Sequence, residues 1–217
     1  MSEIKIQIEE KKSLNEKISI IGTSDFGISI GKRLLHFGFD VIYGSCDPNL
    51  KYLKKCFEEQ FTMNRLSVTT ISDALHQADS IVFLAVSSDF YENLADQIVE
   101  SLSRKHKTKN STILIDASNL HDSSHGKTLS FSNAEKLESL IQKQIIDSKL
   151  DHQVNVIKAF NLLNSNSMRQ YIENVTKSVP KTVPIAGNDT LSKQKVKDLC
   201  AKLGFDIALI LVHSNQH

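Results

Sequence analysis

The chain has 217 residues, 40% of them hydrophobic and 24% charged, with a formal net charge of +1. This is an ordinary soluble, globular composition, long enough to bury a sizeable core in one or one and a half domains. It excludes a global basic field for nucleic acid and an acidic tail. Three cysteines without a C-x-x-C pair argue against a disulfide framework and for a reducing compartment. No stretch approaches the roughly 20 apolar residues that span a bilayer.

Residues 1–16 are charged and lack the apolar core of a secretory signal, so they read as a polar extension. The informative stretch follows, from Lys17 to Asp47: KISIIGTSDFGISIGKRLLHFGFDVIYGSCD. An apolar strand runs into Gly22-Thr23-Ser24-Asp25-Phe26-Gly27. A helix is expected from about Phe26 to Phe37, with Gly38 ending it, and a second strand at Val41 to Tyr43. A strand-turn-helix-strand unit of about 30 residues is the size of the nucleotide-binding βαβ module. Its turn aims backbone N–H groups, and roughly half a positive charge, at whatever binds there. A phosphate or pyrophosphate is the natural guest. The usual G-x-G-x-x-G has Ser24 in place of its second glycine, which adds a Cβ and a hydroxyl where the ligand would sit. A glycine pair that serves packing alone is the alternative.

Asp47-Pro48 reads as N-cap and first-turn proline of a second helix. A strand is expected at Leu66 to Thr69, a short helix opened by Ser72, and a strand over Ser80 to Val86 with the near-continuous apolar character of one buried on both faces. Ser88 or Asp89 would cap a helix reaching about Leu102, and the basic run Ser103 to Lys109 reads as a solvated loop. Thr112 to Asp116 is the fifth strand. Ala117 to Phe131 is polar and aperiodic, a loop long enough to suggest function or mobility. Ser132 caps a helix, followed by a strand at Val154 to Ala159 and a helix near Ser165 to Ile172. A strand at Thr182 to Ala186, a helix over Thr190 to Leu203 ended by Gly204, and a strand at Asp206 to Val212 complete the pattern. Alternation of this kind predicts an α/β, Rossmann-like, doubly wound and mostly parallel sheet, with residues 17–217 as one domain.

Sites in such sheets lie outside the carboxyl ends of the strands. Those ends read Gly22 to Gly27, Gly44-Ser45-Cys46, Ser87-Ser88, Ser118-Asn119 and Phe160-Asn161. They are nearly all small or polar, which suits a dinucleotide and not a nucleophile-base-acid set. Asp25 reads either as a ligand for ribose or phosphate or as a first-turn acid favoured by the helix dipole. Asp47 could bond a ribose 2′-hydroxyl or cap the helix before Pro48. Asp116 reads as a strand-end acid bonding a loop N–H rather than a site residue. Cys46 reads as a buried, inert thiol rather than a redox group. His121 and His125 lie four apart, but Gly126 and the serines argue against a helix that would make them metal ligands.

The segments GTSDFG, VIYGSCDPN, ADSIVFLAV, ILIDASN, SNAEKL, VIKAFN and AGND fall in order from about Ile18 to Leu203. In that set the chain resembles the N-terminal oxidoreductase domain of the STEAP metalloreductases, which is related to deazaflavin-dependent NADP reductases. The resemblance implies a domain that binds NADPH and passes hydride to a flavin, FAD or FMN. In the full family proteins a transmembrane haem domain then reduces ferric or cupric ions. It implies a pyrophosphate loop of Gly22, Thr23, Ser24, Asp25 and Phe26, with Ser45 at the 2′-phosphate. Ala85 and Val86 would lie under ribose and nicotinamide, Ser118 and Asn119 beside the cofactor, and Lys158, Ala159, Phe160 and Asn161 along the nicotinamide pocket. The family's Gly-Ser-Arg-Asn is Gly44-Ser45-Cys46-Asp47 here, and its Arg-Glu-His-Tyr is Ser88-Asp89-Phe90-Tyr91. The first change removes the planar cation best suited to a phosphate, leaving NADH open as a cofactor.

The expected function is therefore NAD(P)H-dependent transfer of hydride to a flavin, with no catalytic side chain and no metal site. The expected setting is the cytoplasm, without the transmembrane haem part, as a short isoform, a fragment or a drifting paralogue. Expected partners are the flavin and a membrane-bound, haem-carrying relative, with a homo-oligomer left open and nucleic acid excluded. A catalytically weak nucleotide-binding module, or an inactive partner of membrane-bound relatives, is the alternative. A small-substrate dehydrogenase on the same fold is a further rival, and it would need a C-terminal helical dimerisation domain.

Overall fold

The computed structural model describes residues 16–48, 51–57, 64–104, 111–118, 132–147, 153–173, 182–205 and 207–211. In chain order the elements are β1 (Lys17–Ile21), α1 (Asp25–His36), β2 (Asp40–Gly44), α2 (Lys51–Cys56), β3 (Leu66–Thr69), α3 (Ile71–Gln77) and β4 (Ile81–Leu84). A 3-10 turn (Ser88–Phe90) leads to α4 (Tyr91–Arg104), β5 (Thr112–Asp116), α5 (Ser132–Asp147), β6 (Val154–Ala159), α6 (Ser165–Glu173), β7 (Thr182–Ala186), α7 (Thr190–Lys202) and β8 (Ile207–Ile210). The sheet order is β3-β2-β1-β4-β5-β6-β7-β8. Every neighbouring pair is parallel except β6 with β7. This is the expected doubly wound Rossmann-like sheet, with its order reversing between β1 and β4, where ligands of such folds bind.

Strand alternation builds two cores. Ile18 and Ile20 of β1, Phe83 of β4, Ile113 and Ile115 of β5 and Ile157 of β6 join Ile30 and Leu34 of α1, Met168 of α6 and Leu199 of α7 on one face. Ile21, Val82, Leu84, Leu114, Val154 and Val156 face the other way, onto Leu75 of α3, Leu94 and Ile98 of α4 and Leu137 and Ile141 of α5. Burying each such side chain contributes about 1.5–3 kcal/mol. The strands carrying two apolar faces are the continuous runs that mark a covered parallel sheet.

Two helix starts differ from the sequence reading. The helix after β3 is capped by Thr70, whose hydroxyl accepts from the Asp73 amide at 3.2 Å. Ser72 lies inside the helix and bonds Ser101 Oγ at 3.1 Å. Helix α2 is described from Lys51, and Asp47 and Pro48 lie in a bend and turn; residues 49–50, where the Asp47-Pro48 start would fall, lie outside the described residues. Ser88 and Asp89 lie in the 3-10 turn, and α4 starts only at Tyr91. At α3 and α4 several serines, threonines or acids were available for the cap, and the structure selects among them.

One buried cation ties the two halves of the chain together. Arg33 of α1 is 2% exposed. Its Nε donates to the Leu203 carbonyl at 2.8 Å, and its Nη1 and Nη2 reach the Met168 and Gly204 carbonyls at 3.4 Å. The guanidinium lies 4.0 Å from the centre of the Phe205 ring. Arg33 therefore satisfies carbonyls at the end of α7, where the helix dipole is negative. Gly204, at φ +72°, makes the left-handed exit there.

Asp189 caps the other end of α7, accepting from the Ser192 amide at 2.7 Å. Hydrogen bonding from the Ser192 side chain, the largest influence, and this amide bond hold the Asp189 carboxyl below its ordinary range. Asp189→Ala is expected to lower stability by about 1 kcal/mol at neutral pH. Because the folded-state pKa is depressed, the contribution is present above the unfolded carboxylate range and fades as pH falls through the lowered value. Urea unfolding of both proteins at neutral and acid pH should show the gap narrowing in acid.

Candidate cofactor-binding site

The turn between β1 and α1 is closed as tightly as backbone allows. Gly22 has φ +105°, and a Cβ there would lie 2.6 Å from the Ala85 carbonyl oxygen. A Cβ on Gly27 would lie 2.6 Å from the Gly22 carbonyl oxygen. The same strand ends are laced by Ala85 N–H to Ile21 O at 2.8 Å and Gly22 N–H to Gly44 O at 3.2 Å. Only glycine fits at these two positions, so both keep the roles the fingerprint assigns them.

Ser24 explains its own departure from that fingerprint. It is the N-cap of α1: its Oγ accepts from the Gly27 amide at 3.2 Å and donates to the Ala85 carbonyl at 3.2 Å. The hydroxyl occupies an amide that a phosphate would otherwise use. The first-turn amides of Asp25 and Phe26 keep no protein acceptor among the described residues. Thr23 is half-buried, Ser24 and Asp25 are exposed and Phe26 is half-buried. Together with the α1 dipole, these open amides fit the pyrophosphate of a dinucleotide.

Beyond β2, Ser45 is half-buried, and its Oγ accepts from the Asp47 amide at 3.1 Å. Cys46 is exposed, contrary to the buried thiol expected from sequence. Asp47 is exposed as well. The deeply buried thiol is Cys200, whose pKa burial pushes up to about 12. At the end of β4, Ala85 and Val86 are half-buried beside the glycine turn.

The β5 and β6 ends hold a buried polar cluster. Parallel register places Asp116 opposite Lys158, and alternation turns both toward the face covered by α4. Lys158 Nζ donates to Asp116 Oδ2 at 3.0 Å, to the Ser118 carbonyl at 2.6 Å and to Ser118 Oγ at 3.2 Å. Asp116 Oδ1 accepts from the Ser118 amide at 2.9 Å, the loop N–H expected of a strand-end acid. It also accepts from the Tyr91 hydroxyl at 2.6 Å. Tyr91 had no signal in the sequence beyond the general need of a buried phenol for a partner. Its partners lie 25 and 27 residues away.

Ala159 and Phe160 are fully buried, and Asn161 is half-buried. Phe160 adopts φ +65°, and its ring packs against Phe83 at 5.4 Å and Phe205 at 5.6 Å. The ring is packed into the core between Phe83 and Phe205. The structure thus brings the Gly22–Phe26 turn, Ser45, Ala85, Val86 and Ser118, with the start of the segment after β6, to one edge of the sheet. Asn119, His121 and His125 lie outside the described residues.

Comparison with known proteins agrees with this geometry. Residues 17–119 match the family described as NADP oxidoreductase, coenzyme F420-dependent. The resemblance to the STEAP oxidoreductase domain holds. Metalloreductase STEAP2 of Mus musculus is 28% identical over 188 residues, 87% of this chain and 32% of that protein. Metalloreductase STEAP3 of Rattus norvegicus is 26% identical over 189 residues, again 87% of this chain and 32% of the relative. The chain therefore spans about a third of the length of the curated relatives it matches. Among solved structures, a protein assigned as an F420-dependent NADP reductase from Arthrobacter sp. FB24 superposes with TM-score 0.67 at 23% identity, covering 91% of this chain and 84% of that one. A UDP-glucose dehydrogenase from Pyrobaculum islandicum gives TM-score 0.65 at 13% identity, over 93% of this chain and 47% of that one. At such identities these two likenesses speak for the fold. The chain carries an NAD(P)-dependent oxidoreductase domain related to that of the STEAP metalloreductases. Among the described residues, no helix is long and apolar enough to cross a membrane.

Ser24→Gly is the clean test of the turn. Glycine at an N-cap costs only a few tenths of a kcal/mol, while the Gly27 amide is freed for a ligand. NADPH is expected to bind about threefold to tenfold more tightly, since hydrogen bonds to charged groups are the stronger ones. Calorimetric titration reads this directly, and an unchanged dissociation constant would remove the turn from the site. Gly22→Val is less informative, because its Cβ would collide with Ala85 and disturb fold and binding together.

Proposed function

We propose that the chain binds NAD(P)H across the carboxyl ends of β1, β2, β4, β5 and β6 and delivers hydride to a flavin, FAD or FMN. The observation that carries this reading is the α1 N-terminus at the point of strand-order reversal, with the amides of Asp25 and Phe26 open between Gly22 and Gly27. Bound NADPH would supply a two-electron hydride, and a bound flavin would divide it into single electrons for an acceptor such as ferric or cupric ion.

The chain's own part is binding and orientation. The first-turn amides and the α1 dipole hold the pyrophosphate. Ser45 stands at the ribose side, where its hydroxyl can donate to a 2′-phosphate. Ala85 and Val86 offer an apolar floor and exclude water. Phe90, 61% exposed in the turn after β4, and Leu162, 53% exposed after β6, are apolar side chains at the same edge of the sheet. Such surface suits a flat isoalloxazine ring. No protein acid or base is needed for hydride transfer itself. In this reading the domain faces the cytosol and can pass electrons to a membrane-bound, haem-carrying relative.

The second reading is a nucleotide-binding module of low activity. It is favoured by Ser24 on the Gly27 amide and by Cys46 and Asp47 in place of a phosphate-binding arginine.

Two outcomes separate these readings. With the full chain, NADPH oxidation in the presence of a ferric chelate is expected to be slow and to require added flavin. Rapid ferric reduction without flavin would refute the hydride route, and NADPH binding without oxidation under any condition would favour the binding module. The second outcome concerns specificity. Discrimination between NADPH and NADH is expected to be low, and Cys46→Arg is expected to shift it toward NADPH by about tenfold or more, from one charge-assisted bond. An unaltered preference would place the 2′-phosphate elsewhere.

A further inference from the structure

The side-chain hydrogen bonds of the buried cluster at the β5 and β6 ends have been given no role so far in binding or hydride transfer. Tyr91 is 1% exposed, Asp116 0%, Ser118 6% and Lys158 3%. Its hydrogens can be assigned completely. Burial, followed by the adjacent Asp116 carboxylate, raises the Tyr91 phenol far above its ordinary pKa. Tyr91 is therefore protonated and donates to Asp116 Oδ1. The 2.7 Å contact between Tyr91 Oη and Ser118 Oγ must then be donated by Ser118. The three Lys158 hydrogens go to Asp116 Oδ2, Ser118 O and Ser118 Oγ. The Ser118 amide goes to Asp116 Oδ1. Every polar group of Ser118 is thus committed: its N–H, its carbonyl, and its hydroxyl as both donor and acceptor.

Stability alone does not account for such a cluster, since a buried ion pair is often no better than apolar packing of the same volume. Its placement does. Tyr91 opens α4 directly after the turn that leaves β4, Asp116 and Ser118 form the exit of β5, and Lys158 lies near the end of β6. The cluster joins three neighbouring strand exits at one residue.

We propose that Tyr91, Asp116 and Lys158 are positioning residues for the nicotinamide half of the site, holding Ser118 so that the β4 and β5 exits keep a fixed separation. The inference rests on the NAD(P)H-binding reading above. In a Rossmann sheet the first turn and the β2 end take the pyrophosphate and the adenosine half, which leaves the β4 to β6 exits for the other half. Pre-organisation of those exits strengthens binding by lowering the ordering cost.

The test compares two ligands on the full chain by calorimetric titration: NADPH, and 2′,5′-ADP as the adenosine half alone. Tyr91→Phe is expected to weaken NADPH roughly fivefold to tenfold and to leave 2′,5′-ADP unchanged. Ser118→Ala should behave alike, and Ser118→Thr, which keeps the hydroxyl, should recover most of the NADPH affinity. Equal losses for both ligands would mean general destabilisation and would overturn the proposal, as would unaltered NADPH affinity in Tyr91→Phe. Thermal melting identifies a variant that fails to fold, in which case the Ser118→Ala and Ser118→Thr pair decides by the same comparison. Should the wild-type chain bind neither ligand, the NAD(P)H reading itself falls, and this inference with it. Binding of both by wild type with no difference among variants removes the positioning role alone.

Discussion

The structure hangs on a contact between backbones. Gly22 and Gly27 bring the first turn so close to Ala85 that no Cβ fits between them. That approach seats α1 over the middle of the sheet, where the strand order reverses. The N-terminus of α1 consequently points along the sheet edge rather than into solvent at random. The same close packing recurs further along the helix. A Cβ on Gly31 would lie 2.0 Å from the Tyr43 hydroxyl, which donates to the Gly27 carbonyl at 2.8 Å. The helix is therefore held against β1 and β2 along its length, and the amides at its tip have one direction available to them.

Two kinds of electrostatics meet at that edge. The α1 tip is a partial charge in contact with water, suited to an exchangeable anion. The Asp116–Lys158 pair is a full charge pair kept from water, with side chains 0% and 4% exposed. Taking either partner away would leave the other buried and uncompensated, at a cost of about 3–5 kcal/mol. The first arrangement welcomes a ligand because its donors are unfinished. The second refuses one because all of its donors are used. Ser118 and Lys158 lie at the β5 and β6 ends, and their side-chain chemistry is directed inward, onto Asp116 and each other.

The sheet was readable from sequence because strands covered on both faces are mostly apolar. Thr112 to Asp116, Val154 to Ala159 and Thr182 to Ala186 emerge with the boundaries their composition suggests. Gly22, Gly27 and Gly204 were equally legible, since each answers a local conformational demand. What local pattern could not show were choices made by distant neighbours. Ser24 looks like a damaged glycine until its hydroxyl is found on Gly27 and Ala85. Phe160 follows a strand and resembles a pocket residue, but its positive φ turns the ring inward onto Phe83 and Phe205. Cys46 looked buried because cysteines usually are, yet it lies in the exposed turn after β2. Asp116 was recognised as a strand-end acid, but Lys158 and Tyr91 reach it from 42 and 25 residues away.

Arg33 has a consequence for how the molecule is made. Its three carbonyl partners lie 135 to 171 residues further along the chain. During synthesis the first helix emerges early, carrying a guanidinium destined for an interior that does not yet exist. Until α7 has left the ribosome, the Leu203 and Gly204 carbonyls that take two of the guanidinium's hydrogen bonds are not there to meet it. Contacts of such long sequence separation are late and slow to form. The first half can thus be translated early but completes the packing around Arg33 only once α7 has joined it.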